Sequence, residues 1–167
     1  MNRFKTPITN IIIKIPVIII AILIFIRDYN SLKDYFELTG NNNSLTDCLQ
    51  VIFTTSIFRT SFLMLIPLIG IFLKSKIGWL LILSFYYLFL ITILYTGFET
   101  EFERDGTIVI LFFIFILPIV FIGVMNNEDN TNVYDINRSE LLKMNIASIT
   151  IALIELAIIL FLNLTQS

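Results

Sequence analysis

Histidine is absent from this 167-residue chain, and cysteine occurs once, at Cys48. Without imidazole there is no Ser-His or Cys-His nucleophilic site, no zinc metalloprotease centre and no haem-histidine ligation. A lone cysteine forms no intrachain disulfide and carries no information about redox compartment. Glycine is scarce, at 6 residues, and neither a glycine-rich phosphate loop nor H-E-x-x-H nor G-x-S-x-G occurs. No basic run is present to follow a nucleic-acid backbone. Charged residues make up only 14% of the chain, against about 25% in a soluble domain. These absences point away from an enzyme; no cofactor, metal or nucleic acid is expected, and no small-molecule substrate is identified.

Apolar length is what the chain does have. Hydrophobic residues are 57% of it and the mean hydropathy is +0.89, so water is not the solvent for most of the polypeptide. A hydrocarbon core about 30 Å thick is crossed by roughly 20 helical residues. Five apolar runs approach that length, at 8–26, 49–73, 77–98, 107–125 and 141–162. They are continuous rather than alternating, which predicts helices and not barrel strands, because a helix closes its backbone hydrogen bonds within itself. The expected fold is therefore all-α, a polytopic membrane bundle of about five transmembrane helices forming one integral membrane domain over 1–167. Residues 49–58 are the uncertain part of the second span, since they also suit a separate interfacial segment.

Basic residues predict the orientation. With the N-terminus in the cytoplasm, that side receives Arg3, Lys5, Lys14, Lys74, Lys76, Arg138 and Lys143, while the other side receives Arg27, Lys33 and Arg104. An excess of Lys and Arg on cytoplasmic loops sets topology, so the N-terminus is expected inside and the C-terminus outside. The first span has a basic start but no small-x-small cleavage pattern after it, and is expected to remain as an anchor. Abundant isoleucine and asparagine with scarce alanine resemble the drift of an AT-rich bacterial genome, which places the expected location in a bacterial cytoplasmic membrane.

The connectors are short. On the outer side Ser31 with Asp34 forms an N-cap signature, and Leu32, Tyr35 and Phe36 share a face, predicting a short amphipathic helix over 31–39 that ends at Gly40. Lys74-Ser75-Lys76 predicts a tight turn between the second and third spans. Trp79 and Tyr95 suit interfacial anchors at the two ends of the third span. Residues 99–106 are rich in acids but lack the spacing of a calcium loop, and are expected as a solvated turn. Asn126–Asn137 is expected as a mobile linker, with Asn137 and Glu140 beginning the fifth helix.

Two charges fall at depths where charge is costly. Arg59 and Glu155 lie near the middle of the second and fifth spans, and a charge at the bilayer centre costs roughly 2.5–3.5 kcal/mol even on the lenient insertion scale. At 100° per residue, Asn145, Ser148, Ala152, Glu155 and Asn163 share one stripe of the fifth helix, while Thr55, Ser56 and Arg59 share a side of the second. Two polar faces are most simply packed together, so the expectation is a buried Arg59–Glu155 pair joining these helices, as a structural tie or as a pathway. Lys14 is expected to snorkel. Among function classes the sequence favours a protein that works through protein contacts, as a subunit of an envelope complex or an immunity protein against a membrane-active toxin. Its expected partners are the lipid bilayer and another protein or a second copy. The alternative is an oligomeric channel or small transporter using Arg59 and Glu155.

Overall fold

The apolar runs fold as helices, and among the described residues there is no strand. The computed structural model describes residues 8–39, 44–54, 57–99 and 105–164, with side chains described outside 39, 45, 53–54, 96–99, 105–114 and 162–164. The elements are α1 (Ile8–Thr39), α2 (Leu45–Thr54), α3 (Arg59–Phe72), α4 (Lys76–Glu99), α5 (Asp105–Met125), α6 (Glu128–Val133) and α7 (Leu141–Leu164). Among the described residues three helices, α1, α4 and α7, are long and apolar enough to cross a membrane.

α1 buries one narrow stripe, Asn10, Ile13, Val17, Ala21 and Asp28, and exposes Ile11, Ile15, Ile18, Ile22 and Ile26. The buried positions recur every three or four residues, as one face of a helix must. Between Ile11 and Ile26 the exposed face is uniformly apolar, the pattern of a helix whose outer solvent is lipid rather than water. Residues 31–39 do not form the separate amphipathic helix that the Ser31 signature suggests. They continue α1 without interruption, because nothing in Arg27–Asn30 breaks a helix and the preceding turns supply the nucleus that a new helix would have to form for itself.

The run 49–73 is not one helix either. It is divided between α2, which ends at Thr54, and α3, which begins at Arg59. α2 opens where the Ser44 Oγ accepts the Asp47 N–H at 3.2 Å, an N-cap. α3 and α4 then form the expected hairpin. Its tightness has a cause in two glycines: a Cβ on Gly78 would lie 2.0 Å from the Leu73 carbonyl oxygen, and one on Gly70 would lie 2.8 Å from Leu81 Cβ.

α4 is the central post. It packs on α7, α3 and α5 and touches α1, and Trp79, Ile82, Leu83, Ser84, Phe85 and Tyr86 are all buried. A helix apolar on every side is one surrounded by others. Trp79 is accordingly no lipid-facing anchor: it is fully buried. Cross-helix bonds fix the directions. Lys76 with Glu140 and Ser148 with the Leu80 carbonyl make α4 and α7 run the same way, whereas Lys14 with the Ile71 carbonyl and Asp28 with Ser61 make α1 and α3 run oppositely. The starts of α1, α4 and α7 and the ends of α3 and α5 therefore meet at one end of the bundle, here termed the cap end.

Candidate functional site: the cap end of the bundle

A helix leaves its last four carbonyls without intrahelical donors, and inside an apolar bundle each one must find a partner or forfeit its solvation. α5 ends among such constraints. The Ile122 carbonyl accepts Asn126 Nδ2 at 2.7 Å, the Val124 carbonyl accepts Asn130 Nδ2 at 2.8 Å, and the Met125 carbonyl accepts Trp79 Nε1 at 3.1 Å. The asparagine-rich segment expected as a mobile linker is thus the cap of α5. Asn130, Thr131, Tyr134 and Ile136 are buried. Asn130 Oδ1 accepts the Thr9 hydroxyl at 3.3 Å, and Asn10 Nδ2 donates to Tyr134 Oη at 3.1 Å, so the cap also holds the start of α1. Burial raises the Tyr134 phenol above its usual range despite that bond.

Lys14 does a related task at α3. Its Nζ donates to the Ile71 carbonyl at 2.8 Å and sits 6.0 Å from the Tyr134 ring centroid, a cation at a helix C-terminus where the dipole favours one. Tyr86 Oη donates to the Ile13 carbonyl, in the turn before Pro16, a cross-helix bond that ties α4 to α1. Glu140 joins the cap to α4 through Lys76 Nζ at 2.6 Å and reaches back to the Asn137 N–H at 3.4 Å. Both bonds favour the charged form and hold the Glu140 carboxyl below its ordinary range.

The polar stripe of α7 is present, but its partner differs from the one expected. Asn145 Nδ2 donates to Asn126 Oδ1 at 2.6 Å, and Asn145 Oδ1 accepts Tyr87 Oη at 2.7 Å. Ser148 Oγ lies 3.0 Å from the Met144 carbonyl and 3.4 Å from the Leu80 carbonyl. The stripe therefore faces α4 and the end of α5, and α7 meets α3 only marginally. Small side chains at Ser148 and Ala152, both fully buried, allow α7 to approach the α4 backbone closely.

Arg59 stands at the first turn of α3, half-buried. Glu155 is buried on the α4-facing side of α7, and its Oε1 has no hydrogen-bond partner among the described residues. Among the described residues the two do not form an ion pair with each other. Asp28 is a buried charge with two partners: its Oδ1 accepts Arg27 Nη2 at 2.7 Å and its Oδ2 accepts Ser61 Oγ at 2.6 Å, joining α1 to α3 away from the cap. Thr55 and Ser56 lie outside the described residues, as does the side chain of Asn163. No group of three His, Cys, Asp or Glu suited to a metal occurs among the described residues.

Beside the cap lies a cavity of about 500 Å³, lined by Asn126, Asn127, Glu128, Thr131, Asn132, Ile136, Asn137, Arg138 and Leu141. Sequence reasoning missed it because its walls are assembled from a loop that carries no motif. Comparisons with protein-family models, curated proteins and solved structures returned no match.

Proposed function

We propose that this chain is a five-crossing protein of a bacterial inner membrane, N-terminus inside and C-terminus outside, that acts through protein contacts. Within that class it suits a small subunit of an envelope complex or an immunity protein. The observation that carries the reading is how the interior polar groups are used. Asn126, Asn130, Asn145, Ser148, Trp79, Tyr86 and Lys14 all spend donors on neighbouring helices or on helix-end carbonyls, which supports a closed scaffold rather than a wet path. Five crossings require α3 and α5 to cross beside α1, α4 and α7. α3 has 14 residues, about 21 Å at 1.5 Å per residue, so α2 would complete it at the outer interface. Lys14, Lys74, Lys76, Arg138 and Lys143 then collect on the cytoplasmic side.

The channel or transporter alternative draws its support from Glu155, the buried acid whose Oε1 lacks a hydrogen bond among the described residues. Reconstituted alone in vesicles, the protein is expected to give no ion flux above that of empty vesicles. A reproducible ion-selective current abolished by Glu155→Gln would replace the contact reading with the channel reading.

A further inference from the structure

Two opposite charges, both on solvent-exposed residues, stand on the lining of the cavity at the cap end and do not satisfy each other. Glu128, in the first turn of α6, and Arg138, in the turn before α7, both line it. Among the described residues neither side chain has a hydrogen-bond or ion-pair partner. The side chains of Asn127, Asn132 and Asn137 line the same space and are likewise unengaged among the described residues. Thr131 and Ile136 form a buried floor.

The cavity also has a definite place. Leu141 belongs to its wall and is the first residue of α7, one of the three helices able to cross a bilayer. Directly along that helix, Leu142 is 72% exposed and Ile146 56% exposed, an apolar strip with no protein over it. A polar pocket therefore opens at the start of a helix long and apolar enough to cross a bilayer, and an exposed apolar strip continues from its rim.

We infer that this cavity is a headgroup site for a zwitterionic phospholipid bearing a primary ammonium, of the phosphatidylethanolamine type. Arg138 receives the phosphodiester, Glu128 and the asparagine side-chain oxygens receive the ammonium hydrogens, and the acyl chains lie along Leu142 and Ile146. The charge of the lining selects this class. Headgroup sites for anionic lipids are basic, whereas here one guanidinium is matched by one carboxylate. A quaternary ammonium has no hydrogen to give Glu128 or the amides, so a choline headgroup loses the contacts that a primary ammonium makes. The volume is within the roughly 300–1,000 Å³ of small-molecule sites. The inference rests on α7 entering the bilayer near Leu141, and not on whether the protein works through partner contacts.

The test uses the full chain in nanodiscs of equal phosphatidylethanolamine, phosphatidylcholine and phosphatidylglycerol, followed by native mass spectrometry of the lipids retained after release. The parent protein is expected to retain phosphatidylethanolamine over each of the others by roughly tenfold, the factor that one charge-assisted contact supplies. Glu128→Gln and Arg138→Gln should each bring that ratio towards unity, and Glu128→Lys, which leaves two cations in the pocket, should turn the preference to phosphatidylglycerol. Trp79 is the sole tryptophan and bonds the end of α5, so unchanged emission in each variant reports an intact cap. No preference in the parent, or a preference that all three variants keep, overturns the site. Displacement by soluble glycerophosphoethanolamine at the same concentration as the lipid also overturns the lipid assignment, in favour of a free zwitterion. None of these outcomes bears on the vesicle-flux experiment, so the two proposals fail separately.

Discussion

Asp135 carries a φ of 55°, the one positive value at a non-glycine position among the described residues. Its neighbours give the reason. The Ile136 N–H reaches the Thr131 carbonyl at 3.0 Å and the Asp135 N–H reaches the Asn132 carbonyl at 3.4 Å, which together make a Schellman ending for α6, with Asp135 where glycine is usual and Ile136 buried behind it. A left-handed residue with a Cβ costs roughly 1–2 kcal/mol. Asp135→Gly is therefore expected to be neutral or to stabilise by up to about 1 kcal/mol, and Asp135→Val to destabilise by about 1–2 kcal/mol, measured by thermal unfolding in detergent. An order with valine at or above the parent would contradict the strain.

At the same scale, Glu140 makes stability depend on acid. Its carboxyl is held below its ordinary value of 4.5 chiefly by the Lys76 hydrogen bond. A group whose folded pKa is lowered stabilises above its unfolded pKa, and that contribution disappears as pH falls through the folded value. The parent protein should thus melt above Glu140→Gln at neutral pH, and the two should converge under acid conditions below pH 4.5. A difference independent of pH would show that the Lys76 contact, with its nitrogen 2.6 Å from Glu140, contributes through packing rather than charge.

Three glycines on the helices separate close approach from open space. Gly78 and Gly70 leave no room for a Cβ in the α3–α4 hairpin, whereas a Cβ on Gly123 of α5 would meet nothing within 4 Å. Gly70→Ala is expected to cost about 1–3 kcal/mol by overpacking and Gly78→Ala more, because the obstacle is backbone. Gly123→Ala should be neutral or raise stability by roughly 0.5–1 kcal/mol through helix propensity. Folded yield and melting of the three variants in one detergent check the order. Equal losses at all three positions would mean that the hairpin is not as close as its geometry states.

Elements are also where the limits of the sequence are clearest. The runs at 77–98, 107–125 and 141–162 coincide with α4, α5 and α7 because continuous apolar length is a property of the residues themselves. The stripe through Asn145, Ser148 and Glu155 is equally legible, being periodicity. Its partner is not, since Ser148 and the α5 caps bond to main-chain carbonyls, and a carbonyl has no letter in the sequence. Trp79 illustrates the same gap: residue type suggests an interface anchor, while the free carbonyl at Met125 draws it inside. The break between α2 and α3 is not marked by hydropathy, because apolar residues stand on both sides of it.

For the whole molecule, one arrangement orders the rest: every helix junction at the cap end lies on one side of the bundle. Lys74, Ser75 and Lys76 close α3 to α4, residues 126–140 join α5 to α7, and Asn10 is tied to Tyr134 between them. If five helices cross the bilayer, Ser75 and Ser139 share the cytoplasmic side, and Asn30 and Ser167 share the other. Cysteine accessibility tests this directly in a Cys48→Ser background, with Asn30→Cys, Ser75→Cys, Ser139→Cys and Ser167→Cys each exposed to a membrane-impermeant maleimide in intact spheroplasts. Asn30→Cys and Ser167→Cys should label at once, and Ser75→Cys and Ser139→Cys only after permeabilisation. Labelling of Ser167→Cys only after permeabilisation, together with Ser139→Cys, would put both ends of α7 on one side and contradict the five-crossing bundle.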